Sequence, residues 1–210
     1  MWPKDLNIDV SRETREKLEI YHALLLKWQK AINLVSPKTI DEAWMRHFAD
    51  SAQIDHHIPF DVSRESRIVF DLGSGAGFPG LVLAIMRPDL RVRLIESDER
   101  KCQFLKTVSR ETNVNVMVHN SRIEDVQSDI CPDLITARAL ADLKTLLEYI
   151  EPWSLASPNL QCLFLKGARV DDELEEARKH FFFDCEQLPS LSDRQARILH
   201  LQKITRKNSA

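Results

Sequence analysis

Four of the chain's five glycines fall within eight residues, Gly73, Gly75, Gly77 and Gly80, immediately after the apolar run Ile68-Val69-Phe70-Asp71-Leu72. A sequence that otherwise avoids glycine places it where a tight turn needs a positive φ or where a ligand must come within van der Waals distance of the main chain. Pro79, with its fixed φ and no N–H, suits the first turn of a helix, and Leu81, Val82, Ile85 and Met86 follow at helical spacing. Strand, glycine turn and helix in this order form the first unit of a doubly wound α/β fold, whose ligands sit beyond the carboxyl ends of the strands. The pattern predicts a nucleotide-type pocket at the turn.

The next strand, Val92-Arg93-Leu94-Ile95, ends in Glu96, about 20 residues beyond the glycines, where a carboxylate accepts hydrogen bonds from ribose hydroxyls. Two glycine registers are open. Gly75-Ala76-Gly77-Phe78-Pro79-Gly80 fits the turn of dinucleotide enzymes, and Asp71-Leu72-Gly73-Ser74-Gly75-Ala76-Gly77 fits the acidic-residue-plus-GxGxG turn of methyltransferases that use S-adenosylmethionine. The second is favoured. Asp71 would attract the ammonium or sulfonium of the methionine part and would repel a pyrophosphate, and the chain is too short for a separate hydride-acceptor domain.

At 210 residues the chain fits one domain with an appendage: a helical N-terminal extension over 1–60 and a methyltransferase domain over 61–210. The start, Met1-Trp2-Pro3-Lys4-Asp5, carries no signal-peptide core, and no window approaches a membrane span, so a soluble, intracellular protein is expected; a monomer is the expected state. Cys102, Cys131, Cys162 and Cys185 are scattered without metal-ligand spacing and read as reduced thiols. A net charge of −3 does not by itself point to nucleic acid. Its distribution matters more: from Arg194 to the end there are five basic residues, Arg194, Arg197, Lys203, Arg206 and Lys207, and no acid. Such a run could neutralise phosphates, with Arg194, Arg197, Lys203 and Lys207 the candidate contacts, and it is just as often a solvated strand.

Ser11 is placed to cap a helix with Leu18, Tyr21, Leu25, Trp28 and Ile32 on one face. A second helix is expected from Thr39 to His56, and residues 58–67 join it to the first strand. Asp98 caps a helix holding Cys102, Phe104, Leu105 and Val108. Further strands are expected at Val114–Val118, Leu134–Ala137, Leu160–Leu165, Phe181–Phe183 and Ile198–Ile204, and helices at Ala139–Ile150 and Asp171–His180, with Pro152 to Asn159 a loop. This alternation predicts a mostly parallel seven-stranded sheet covered on both faces, a Rossmann-like doubly wound fold with a small helical N-terminal appendage.

Glu124 follows strand three, where its backbone and side chain can meet a base edge while Ile123 covers a ring face. Arg138 ends strand four, where enzymes of this architecture present groups to the methyl acceptor. Thr136-Ala137-Arg138-Ala139 lacks the Asn/Asp-Pro-Pro-aromatic signature used on exocyclic amines, and Lys166, not cysteine, ends strand five. A guanine N7 needs no deprotonation, so positioning alone can supply roughly 7–11 kcal/mol. Arg46 with Asp50, and His47 with Ser51, lie at i,i+4 on the second helix; as isolated pairs these are surface contacts unless that helix overhangs the pocket.

Taken together, Arg46-His47-Phe48-Ala49-Asp50-Ser51, Asp71-Leu72-Gly73-Ser74-Gly75-Ala76-Gly77-Phe78-Pro79-Gly80, Arg138-Ala139 and Leu165-Lys166-Gly167 resemble the bacterial small-subunit ribosomal RNA guanine-N7 methyltransferases, the RsmG (formerly GidB) family. The resemblance spans nearly the whole chain. It implies the class I methyltransferase fold, a cytoplasmic enzyme acting on N7 of one guanine in 16S ribosomal RNA or the small ribosomal subunit, and S-adenosylmethionine as methyl donor. On this footing Asp71, Gly73, Gly75, Gly77, Phe78, Glu96, Ile123, Glu124 and Arg138 are the candidate cofactor contacts. Arg138, Lys166, His47 and Asp50 are the candidate catalytic residues. An NAD(P)-dependent oxidoreductase and a non-catalytic RNA-binding factor remain the alternatives.

Overall fold

The computed structural model describes residues 10–58, 67–126 and 130–207. The expected boundary at 60/61, the join to the first strand and the first five residues lie outside the described residues. Seven strands form one sheet: β1 (Arg67–Leu72), β2 (Leu90–Glu96), β3 (Met117–Asn120), β4 (Leu134–Arg138), β5 (Gln161–Lys166), β6 (Phe181–Pro189) and β7 (Arg197–Arg206), in the order β3-β2-β1-β4-β5-β7-β6. The first five are parallel, and β7 runs antiparallel to both β5 and β6. Strand order reverses between β1 and β4, so the turn after β1 and the end of β4 flank the crevice where a doubly wound sheet holds its ligand.

Helices cover both faces. On one face α3 (Gly80–Met86), α4 (Glu99–Glu111) and α1 (Arg12–Gln29) close over a core that includes Tyr21, Leu25, Phe48, Phe104 and Leu94. On the other, α5 (Leu143–Ala156) and α6 (Val170–His180) pack over Phe70, Ile135, Trp153 and Phe164. The N-terminal helical segment shares the first of these cores with the sheet. Ser11 caps α1 by accepting from the Thr14 N–H at 3.0 Å, and Asp98 caps α4 by accepting from the N–H groups of Arg100 and Lys101.

Several expected elements differ. The second helix begins near Trp44 rather than Thr39 and is mixed: a π-helix over Trp44–Ala49, an α turn α2 (Asp50–Ala52) and a 3₁₀ turn over Gln53–His57. β3 lies three residues later than the Val114–Val118 run, because an edge strand has only one neighbour, β2, to fix its register. The helix after β4 starts at Leu143, since Ala139 takes a positive φ of 50° and Asp142 caps the helix by accepting from Thr145 N–H at 3.0 Å. That helix then runs through Pro152 to Ala156, where a loop is expected from the sequence. β6 is nine residues long rather than three, paired along its length with β7.

Candidate active site

The glycine turn leaves β1 with Gly73, Gly75 and Gly77 at φ of 60°, 56° and 93°. Their reasons differ. A Cβ on Gly73 would stand 2.4 Å from the Leu140 Cδ1, whereas one on Gly75 would meet nothing nearer than the Gly73 carbonyl at 3.7 Å. The space beside Gly75 is therefore open to a ligand. A Cβ on Gly77 would collide with Leu81 and with Tyr21 Oη, inside the protein rather than in the pocket. Gly77 is needed for packing under α1, and the structure does not bring it to the cleft. Tyr21 secures the turn from below by donating to the Ala76 carbonyl.

Above the turn lies a cleft of about 680 Å³, within the range of small-molecule sites. Its lining includes Gly73, Gly75, Glu96, Ile123 and Glu124 at one end, Phe78, His47, Asp50, Arg138 and Lys166 in the middle, and Arg46, Asp193 and Arg197 at the other. The mixed helix overhangs the pocket after all. Glu96 is nearly buried and accepts from Gly75 N–H through Oε2 and from Asp98 N–H through Oε1, each at 2.8 Å. It thereby joins the two loops that border this end of the cleft, and each oxygen keeps a lone pair for a further donor such as a hydroxyl. Ile123 and Glu124 sit on a 3₁₀ turn, Ile123–Asp125, at the same end.

Asp71 does not face the cleft. It is fully buried, its Oδ1 accepts from Thr136 Oγ1 at 2.8 Å, and its other oxygen lies against the Gly80 backbone at the amino end of α3. The direct attraction to a sulfonium expected from the sequence is thus corrected. The carboxylate braces the turn from inside, and burial pushes its pKa up to about 6.

Arg138 organises the middle of the site. Its guanidinium lies 4.9 Å from the Phe78 ring centroid, and Nη1 donates to the Arg46 carbonyl at 3.0 Å and approaches Asp50 Oδ2 at 3.4 Å. The π turn makes the first of these bonds available, because the Asp50 N–H bonds to the carbonyls of Met45 and His47 and bypasses that of Arg46. The same Nη1 lies 3.0 Å from His47 Nδ1. Arginine has only donors, so Nδ1 must accept and the imidazole proton sits on Nε2, which donates to Thr39 Oγ1 at 2.9 Å; Thr39 in turn donates to the Ser36 carbonyl. Burial, reinforced by Arg138 and Arg46, holds the His47 pKa down to about 3. The ring is neutral with its acceptor occupied, so His47 is a positioning residue and not a general base.

Asp50 Oδ1 accepts from Gln53 Nε2 at 2.9 Å and from Ser192 Oγ. Gln53 also accepts from the Leu191 N–H at 2.7 Å. Asp50 therefore ties Arg138 to the β6–β7 turn. Lys166 is committed as well: Nζ pairs with Glu173 Oε2 at 2.5 Å and donates to the Ala141 carbonyl at 2.7 Å. Phe78 stacks with Tyr21 and His47 at centroid distances of 5.3 Å, and so carries Arg138 on its ring.

Of the basic C-terminal residues, Arg197 lies at the carboxyl end of β5, where it pairs with Lys166 across the sheet, and its guanidinium donates to the Arg194 carbonyl beside it at 2.8 Å. Lys203 and Lys207 do not join them. At about 3.3 Å per residue they stand roughly 20 and 33 Å farther along the strand direction, with Lys203 paired to Asp184 at 2.9 Å and Lys207 donating to the Arg178 carbonyl. Thr39, Gln53, Ser190, Ser192 and Asp193 are site residues that the sequence reading missed. The polar Ser190-Leu191-Ser192-Asp193 turn carries no motif, and only the pairing of β7 with β5 places it at the cleft.

Residues 14–201 match the family model described as rRNA small subunit methyltransferase G. A Ribosomal RNA small subunit methyltransferase G of Paramagnetospirillum magneticum is 47% identical over 98% of this chain and 98% of its own length, and one of Rhodospirillum rubrum is 46% identical over 95% and 96%. The chain belongs to the rRNA small subunit methyltransferase G family. Among solved structures, a variant of MtNAS in complex with S-adenosylmethionine shares the fold, with a TM-score of 0.59, 14% identity and coverage of 90% of this chain and 76% of that one. Membership makes the chain an S-adenosylmethionine-dependent methyltransferase, and the open space at Gly75 beside Glu96 fits that cofactor. No helix among the described residues is long and apolar enough to cross a membrane.

Two burial effects in the family site predict opposite pH trends. His47, with its pKa lowered from 6.5, contributes stability that is present above about pH 6.5 and lost as pH falls toward 3. Asp71, raised from 3.8 to about 6, binds a proton more tightly when folded, so its contribution falls as pH rises from about 4 to 6. Thermal melts from pH 4 to 7 should show H47N flattening the acid-side loss and D71N steepening it. Parallel melting curves for wild type and both variants would contradict these burial effects.

Proposed function

We propose that the chain transfers a methyl group to N7 of a single guanine in 16S ribosomal RNA, acting as a cytoplasmic monomer on the small subunit. The observation that carries this reading is the state of the side chains in the middle of the cleft. His47 has given its acceptor nitrogen to Arg138, Asp50 is engaged by Arg138, Ser192 and Gln53, and Lys166 is paired with Glu173. None of these is a free base. An acceptor that must lose a proton before attack is poorly served there, whereas guanine N7 presents a ready lone pair. The bound cofactor supplies an electrophilic methyl on a sulfonium. Glu96 would hold the nucleoside of the cofactor and the backbone at Gly73 and Gly75 its methionine portion, and Arg138, fixed by Phe78, Asp50 and His47, would face the base.

The major groove of A-form RNA is too deep and narrow for side chains, so the target guanine is taken from a loop or turned out of its stack. The flanking phosphates then meet Arg194 and Arg197 at the cleft mouth, and Lys203 and Lys207 play no part. R194A and R197A should each weaken RNA binding and lower the salt slope by about 1, while K203A and K207A leave both unchanged; equal losses from both pairs in filter binding would refute this division. The reaction itself is tested by incubating labelled S-adenosylmethionine with small subunits lacking the modification. Label recovered as 7-methylguanine at one position supports the reading, and label on an exocyclic amine, on a ribose or spread over many sites overturns it.

A further inference from the structure

At the mouth of the cleft, away from the glycine turn, an arginine and an aspartate form a half-exposed pair with no task in the arrangement so far. Arg46 Nη1 donates to Asp193 Oδ2 at 3.2 Å, each side chain is 38% exposed, and both line the same cleft as Gly73 and Arg138. Asp193 Oδ1 accepts from the Gln195 N–H at 2.9 Å, which fixes the carboxylate in place, and this bond with the Arg46 pair lowers its pKa. It is therefore an ionised acceptor at working pH. Each of the other carboxylates named in the cleft has a different place: Glu96 joins the loops at the nucleoside end, Glu124 sits at that end too, and Asp50 is bound to Arg138 and the β6–β7 turn.

Resting on the guanine-N7 reading, we propose that Asp193 and Arg46 together read the Watson–Crick edge of the target guanine. When N7 faces the methyl donor, the edge left for recognition carries the N1–H and N2–H donors and the O6 acceptor. A carboxylate accepts from N1–H and N2–H, and a guanidinium beside it donates to O6. Adenine offers an acceptor at N1 and no 2-amino group, so the same pair rejects it. Methylation of N7 also places a positive charge on the base and makes N1–H a stronger donor, so the bond to Asp193 tightens as the methyl moves across. Asp193 thereby contributes to turnover as well as to choice of base.

The test is a cycle between protein and base, with small subunits carrying either guanosine or inosine at the target position; inosine lacks only the 2-amino group. For wild type, inosine should lower kcat/KM by roughly tenfold to a hundredfold, the loss of one hydrogen bond to a charged group. For D193A the two substrates should react equally, at a rate below that of wild type on guanosine. D193N, which retains one acceptor oxygen in a side chain of the same size, serves if the alanine variant misfolds, and unchanged S-adenosylmethionine affinity by calorimetry shows that the site is intact. A guanosine-to-inosine ratio that is the same in wild type and both variants overturns the assignment while 7-methylguanine is still formed. A product methylated anywhere but N7 overturns it together with the reading on which it rests.

Discussion

Gly73→Val is expected to lower S-adenosylmethionine affinity by at least about a hundredfold. The position has a φ of 60°, which a β-branched residue adopts only under strain of about 1–3 kcal/mol. Its Cβ would stand 2.4 Å from Leu140 Cδ1 at the wall of the cleft, so Leu140 or the turn must shift beside the space proposed for the cofactor. Gly75→Ala is the companion variant: its Cβ meets no protein atom nearer than 3.7 Å, so the fold bears only a conformational cost, while the methyl enters the space proposed for the cofactor and lowers affinity with a smaller change in melting temperature. Gly77→Ala should act differently again. Its Cβ enters the contact with Leu81 and Tyr21, so the melting temperature falls and the change in affinity follows the loss of fold. Calorimetric titration and thermal melting on the three variants separate these effects; Gly73→Val with normal affinity would show that the cofactor does not lie at this turn.

Arg138→Ala should have the second large effect, on both activity and stability. It leaves His47 Nδ1, Asp50 Oδ2 and the Arg46 carbonyl without their shared donor in a largely buried site, and it exposes the face of Phe78. Removing one partner of a buried ion pair costs about 3–5 kcal/mol, and the hydroxyl of Ser192 and the amide of Gln53, still bound to Asp50, place the expected loss at the lower end. Methyl transfer should drop by more than about a hundredfold, since the proposed floor beneath the base is lost and β4 is uncoupled from Asp50 and the β6–β7 turn it holds. Arg138→Lys should restore part of the stability and little of the activity, because one ammonium cannot both stack on Phe78 and reach three acceptors. Single-turnover rates measured with saturating cofactor distinguish the two contributions. An Arg138→Ala enzyme that turns over near the wild-type rate would remove Arg138 from the site's machinery.

The order of strands and helices was legible because each parallel strand is a short apolar run closed by a turn signal, and because Ser11 and Asp98 are helix caps that work locally. The turn that borders the cleft was legible for the same reason: Gly73 and Gly75 through backbone geometry, and Glu96 through its position at the end of the next strand. What failed depends on distant partners. Asp71 ends its strand as an acidic motif residue should, yet Thr136 and α3 turn it inward, which no local pattern reveals. His47 has the composition of a general base, and only its contact with Arg138, 91 positions away, takes that role from it. The basic tail reads as one patch, but an extended strand carries Arg197 to the carboxyl end of β5 and Lys203 and Lys207 toward the opposite end of the strands. The second helix departed from regular periodicity at the residues that meet Arg138, where tertiary contacts outweigh helical propensity.

In the proposed arrangement a methyl donor lies across the carboxyl end of β1, with its nucleoside on Glu96 and its methyl directed along the cleft toward Arg46 and Asp193. A crystal structure of the enzyme with S-adenosylmethionine measures this directly. Ribose hydroxyls are expected within hydrogen-bond distance of Glu96, the methionine portion against the Gly73 and Gly75 backbone, and the sulfonium methyl open to the Arg138 side. A cofactor bound in another cavity, or one whose methyl points away from Arg138 with Glu96 untouched, would contradict it.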